Sequence, residues 1–247
     1  MTVSNHTALY RFTFPNKPIF PENGANSTST LSPVMLIELA DLADLKISGE
    51  IAVNPDNGRL TGSGRFYPSF GLGTYTLHFC ADFSGASARD TGIDAVRETG
   101  IFTTLGKKAT LQTVGLNDDN SNTTEKLSPQ GAYVQFWAPN ESNQLLARVG
   151  VSFINQEQAC RNAQNEIPDF DFEATQSAAE DAWKKTLSPI EIDSTGVEDS
   201  YLTVFWSGIY RTFISPQDYT GENPLWESDE PYYDSFYWYT IQLPQPT

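Results

Sequence analysis

From Ala8 to Phe14 apolar and polar side chains alternate, with Tyr10, Phe12 and Phe14 on one face and Arg11 and Thr13 on the other. Such alternation marks a half-buried β-strand, because successive side chains point to opposite faces. The period recurs in "TYTLHFCADF", where Tyr75, Leu77, Phe79, Ala81 and Phe83 face one way and Thr76, His78, Cys80 and Asp82 the other. It continues in "AYVQFWAP" and "LLARVGVSFI". Between them "LKISGEIAVNPDNGRLTGSGRFY" reads as a hairpin turning at Asn54-Pro55-Asp56-Asn57-Gly58, a strong turn cluster. Short strands divided by Gly, Pro and Asn predict an antiparallel β-sandwich.

At Asn155 the period changes. Asn155 with Gln158 three residues on reads as a helix cap, and "QEQACRNAQNEI" as a short helix ending before Pro168. A second helix starts after the cap candidate Asp171, with Phe172, Gln176, Ala179, Trp183 and Leu187 along one stripe and Ser188-Pro189 as its stop. A third runs through "EDSYLTVFWSGIYRTFI", with Leu202, Phe205, Ile209 and Phe213 as its apolar face. One amphipathic helix needs something large to pack against, and left bare this face would aggregate or recruit a partner.

Composition narrows the functions. The net charge of −16, at a pI near 4.3, repels phosphate backbones and anionic membranes, so neither nucleic acid nor a membrane surface is an expected partner. No apolar run approaches the roughly 20 residues that span a bilayer. The start, "MTVSNHTALYRFTF", lacks the basic and apolar regions of a secretory signal. Yet four N-x-S/T sequons, at Asn5, Asn26, Asn122 and Asn140, exceed chance and hint at secretory ancestry. Cys80 and Cys160 are compatible with one bridge, and the favoured reading is two semi-buried thiols in different elements.

Candidate chemistry is sparse. Glu227, Asp229, Glu230 and Asp234 beside Trp226, Tyr232 and Tyr233 have the makings of a sugar cleft, in which carboxylates flank a ring held by aromatic faces. A structural loop with solvated acids explains the same residues. His78, Cys80 and Asp82 share a strand face at about 7 Å steps, a spacing closer to a metal site than to a nucleophile–base pair. No complete ligand set accompanies them, so a structural role is favoured. Gly62 and Gly64 match no phosphate loop and read as bulges or turns in a curved sheet. "DDNSN" lacks the spacing of a calcium loop, and no G-x-S-x-G or H-E-x-x-H occurs.

The stretch "LLARVGVSFINQEQACRNAQNEIPDFDFEATQSAAEDAWKKTLSPIEID" resembles the fungal α-mannosidases of glycoside hydrolase family 92. The matching phrases are Arg148 to Ala159, Glu166 to Glu173 and Ala178 to Trp183. The likeness extends upstream through "GRFYPSFGLGTYTLHFCADFSG" and "TVSNHTALYRFTFP", and downstream through "VFWSGIYRTFISPQDYTGENPLWESDEPYYDSFY". It implies a galactose-mutarotase-like supersandwich followed by linker helices and an (α/α)6 barrel. It implies calcium-dependent, inverting release of α-1,2-linked mannose from N-glycans, in a parent enzyme that is secreted or in the secretory pathway.

The domains expected on this basis are a sandwich at 1–154, linker helices at 155–190, the start of the catalytic barrel at 191–237 and a tail without family likeness at 238–247. After Tyr237, where the family continues into W-D-x-F-R, this sequence reads Trp238-Tyr239-Thr240-Ile241. Family strands expected before Met1 are absent too, so the expectation is a fragment, from a mispredicted or frameshifted gene. No catalytic residue and no calcium ligand can be carried over, and the chain alone is expected to be inactive. Trp226, Glu227, Asp229, Tyr233 and Asp234 are the substrate-binding candidates. A non-catalytic mannose-binding module is the competing function.

Overall fold

The computed structural model describes residues 1–14, 33–39, 46–68, 73–85, 96–105, 108–114, 131–136 and 143–214. Ten strands come first in these residues: β1 (Thr2–Val3), β2 (Thr7–Thr13), β3 (Val34–Glu38), β4 (Lys46–Val53), β5 (Leu60–Phe66), β6 (Tyr75–Ser84), β7 (Val96–Leu105), β8 (Lys108–Val114), β9 (Gly131–Phe136) and β10 (Gln144–Ser152). Three helices follow: α1 (Gln156–Glu166), α2 (Phe172–Leu187) and α3 (Asp199–Ile214). The chain gathers into two units, 1–67 with 74–179, and 68–73 with 180–247, so the division falls within α2.

The first unit is the expected sandwich. A six-stranded sheet runs β1-β2-β10-β6-β5-β4 and a four-stranded sheet β3-β9-β7-β8, with antiparallel neighbours throughout. Ile51, Leu60, Phe79 and Leu145 of the larger sheet meet Val96, Ile101, Val134 and Phe136 of the smaller in one core. The rings of Phe83 and Phe136 stand edge to face 5.3 Å apart across it. The predicted hairpin joins β4 to β5: Asn54 N–H donates to the Arg59 carbonyl, Gly58 N–H to the Asn54 carbonyl, and Asp56 N–H to the Asn54 side chain. Gly58 takes φ +74, a conformation glycine adopts without strain.

Gly62 and Gly64 are corrected. Strand β5 keeps an unbroken register with both neighbours there, and the irregularity lies in β4 between Lys46 and Ser48. These positions are glycine because space is short. A Cβ at Gly62 would strike the Glu50 carbonyl and the Phe79 ring, and one at Gly64 the Phe66 ring.

Helix α1 lies on the outer face of the larger sheet, against β10 and β6. Its cap is as expected, Asn155 accepting from Gln158 N–H at 2.7 Å. Gly150 makes the close approach possible, since a Cβ there would meet the Ala159 carbonyl and the Ala163 methyl. Burial on both faces explains why Cys80, Arg148 and Ser152 are as hidden as the residues facing the core. The favoured reading of two thiols is overturned: Cys80 of β6 and Cys160 of α1 form a disulfide, with Cα atoms 5.0 Å apart. Docking of the helix brings together two cysteines 80 residues apart.

Helix α2 starts at the predicted cap, Asp171 accepting from Ala174 N–H at 2.9 Å. Its inward stripe takes Thr175 in place of Gln176, which is exposed. Within the second unit Trp183 packs on Tyr210 of α3 at 4.7 Å. In α3 Leu202, Trp206 and Ile209 are half-buried, so the expected face shifts, and Phe205 and Phe213 stay about 40 % exposed.

Candidate functional site

Trp226, Glu227, Asp229, Tyr233 and Asp234 lie outside the described residues, as do the sequon residues Asn26, Asn122 and Asn140. The His78–Cys80–Asp82 face is described, and it is not a metal centre. Cys80 is consumed by the disulfide, and both Asp82 oxygens are engaged by arginines. Among the described residues no three His, Cys, Asp or Glu side chains gather to hold a metal.

The alternation of the strands does not reveal a polar junction between β2, β6, β10 and the chain joining α1 to α2. Arg148 of β10 is buried, and its Nη2 donates to Asp82 Oδ2 at 2.6 Å. Its Nη1 donates to the carbonyls of Ile167 and Pro168, at 2.6 and 3.2 Å. The guanidinium stacks 4.3 Å from the Phe170 ring centroid. Arg59 Nε completes Asp82 from the other side at 2.6 Å. A planar fork suits this task, satisfying a carboxylate and two carbonyls at once. Phe170 adopts φ +55, unusual for an aromatic residue and held here by its stack on Arg148.

A second clasp closes the end of α1. Glu166 accepts Ser4 Oγ at 2.5 Å, His6 N–H at 2.8 Å and His6 Nδ1 at 2.7 Å. Burial raises its pKa, but the hydrogen bonds from the His6 side chain, Ser4 and the His6 backbone outweigh that, lowering it from 4.5 to about 2. At the start of α2, Arg11 of β2 pairs with Glu173 and lies 4.0 Å over the Phe172 ring. The Arg11 hydrogen bond lowers the Glu173 pKa. Beneath both clasps Leu9, Ile167 and Phe172 form a small core of their own.

The oxygens of Asp82 and Glu166 are taken up by these partners. Glycoside hydrolysis needs two carboxyls free to face a sugar, one as acid and one as base or nucleophile. Neither Asp82 nor Glu166 is available in that sense, and their work is to fix the turn at 167–171 on the sandwich. One cavity of about 430 Å³ opens between the sheets, among residues including Tyr10, Phe12, Met35, Phe66 and Leu77. Among the described residues of its lining, Glu38 is the one that carries a charge. A saccharide there would leave most hydroxyls unpaired, which burial penalises.

Arg148, Glu166, Phe170 and Glu173 of this junction fall in phrases whose family likeness is already evident, Arg148 to Ala159 and Glu166 to Glu173. Residues 1–152 match the glycosyl hydrolase family 92 N-terminal domain, and residues 158–242, running beyond Tyr237, match the family 92 catalytic domain. A secreted glycosidase of Arthroderma benhamiae, itself uncharacterised, is 46 % identical over 240 residues, covering 96 % of this chain and 29 % of that protein. A family 92 inverting mannosidase from Bacteroides thetaiotaomicron superposes with TM-score 0.63 at 22 % identity, over 87 % of this chain and 24 % of its own. Another family 92 glycosyl hydrolase gives 0.62 at 20 % identity, with the same coverage. The chain thus spans less than a third of the relatives it matches, and the two solved structures share its fold, a β-sandwich followed by helices. With one family domain matched across the sandwich and a second beginning at α1, the chain belongs to glycosyl hydrolase family 92.

Proposed function

We propose that this chain is the sandwich and first helical part of an α-mannosidase, an inverting enzyme that removes α-1,2-linked mannose from N-glycans with calcium. The observation that carries this reading is the succession of two family domains along one chain, 1–152 and 158–242. The solved inverting mannosidase of the same fold supports the reaction class. Residues 1–154 form the sandwich, 155–190 the linker helices and 191–237 the start of an (α/α)6 barrel. The sandwich's task is positioning: Arg148, Glu166 and Arg11 fix the chain on its way to the helices. Calcium ligands and the acid–base pair belong to the part of the family's length that this chain does not span. No step is assigned to calcium among the described residues, where no such donor set gathers. The chain works in the secretory pathway or outside the cell, which its disulfide and the secreted fungal relative support.

The test joins these 247 residues to the remaining catalytic segment of the fungal relative. Proton NMR of the first product from an α-1,2-mannobiose should show β-mannose, and a chelator should abolish release until calcium is restored. α-Mannose as first product, or activity indifferent to chelation, would overturn the mechanism proposed.

A further inference from the structure

We infer that Asn5 is a site of N-linked glycosylation. Asn5-His6-Thr7 is the sequon that falls within the described residues, in the bend between β1 and β2. The bend sorts its side chains. Ser4 and His6 both turn onto Glu166, while Asn5 between them is exposed. His6 also accepts Val151 N–H through its carbonyl at 2.9 Å, and Ser4 N–H donates to the Thr7 carbonyl at 2.8 Å. The backbone is therefore anchored on both sides of Asn5, and a glycan on its amide nitrogen extends away from the clasp without displacing a buried group.

The second observation is the Cys80–Cys160 disulfide, which forms in an oxidising compartment. In eukaryotic cells that compartment also holds the lipid-linked oligosaccharide that donates the sugar. Transfer forms a bond from the Asn5 side-chain nitrogen to the first sugar, releasing the lipid pyrophosphate and one proton. This inference rests on the secretory placement proposed above, and the test separates the two.

The full chain, fused behind a cleavable secretion leader, is translated with microsomes and treated with protease. Protection reports delivery, independently of whether the native protein is secreted. Among protected chains Asn5→Gln should lose one glycan step on a gel relative to the unsubstituted chain. Thr7→Ser, which preserves the sequon and the buried hydroxyl, should keep it. An unchanged pattern in Asn5→Gln, or an Asn5 peptide recovered wholly unmodified from protected chains, overturns the inference. Asn5 is exposed, and among the described residues its amide has no partner for the substitution to remove, so loss of folding is not expected to confuse the result.

Discussion

Protonating Glu166 removes the acceptor that holds Ser4 and His6 against the end of α1. Its pKa is about 2 in the fold against 4.5 without these partners, so its stabilisation is complete above about 4.5 and fades as pH falls toward 2. Glu166→Gln should lower stability at neutral pH by about 2 kcal/mol, after allowance for residual solvent screening. It should also flatten the acid limb of the stability curve, as read by urea midpoints across that range. A limb of unchanged steepness would show that other groups govern acid unfolding. Arg148 is the more demanding position. Truncating it strands Asp82 beside a single arginine and leaves two carbonyls unpaired, a loss of about 3–5 kcal/mol. Arg148→Lys should rescue little, because an ammonium lacks the fork and the flat face that Phe170 covers. Full rescue by lysine in a denaturation experiment would mean that charge alone matters there.

At the scale of elements, the attachment of α1 to the larger sheet is the feature most open to perturbation. The disulfide crosses 80 residues, and the loop-entropy argument assigns such a link about 4.5 kcal/mol. Reduction, or the paired change of Cys80 and Cys160 to Ala, should lower the unfolding midpoint by that order while far-ultraviolet dichroism of the folded state stays the same. A midpoint indifferent to reductant would contradict the structural role of the bridge. The strands were readable because period two survives where one face meets the core, as Phe79 and Ala81 do. Burial of the opposite face was not readable, because α1 covers it and nothing in β6 announces a helix arriving from position 156 onward. The caps at Asn155 and Asp171 were legible, being local hydrogen bonds within three residues. The face of α3 was not: its half-buried stripe takes Trp206, while Phe205 and Phe213 stay exposed.

For the whole molecule, family and fold were visible in long phrases such as Arg148 to Ala159, yet the purpose of their residues was not. Arg148 and Asp82 lie 66 positions apart, and neither looks unusual in its strand. Only folding shows that Arg148 and Asp82 form a clamp rather than a catalytic centre. The candidates from Trp226 to Asp234 lie outside the described residues, so the sugar-cleft reading of that stretch rests on its chemistry alone.

The measurement that tests the central claim most directly is mannose release from an α-1,2-mannobiose in calcium. It compares the pure 247-residue chain with the same chain extended by the relative's catalytic segment. The account predicts no mannose above background from the first and turnover from the second. Mannose from the chain alone would contradict it, because a working acid and base would then lie within these residues.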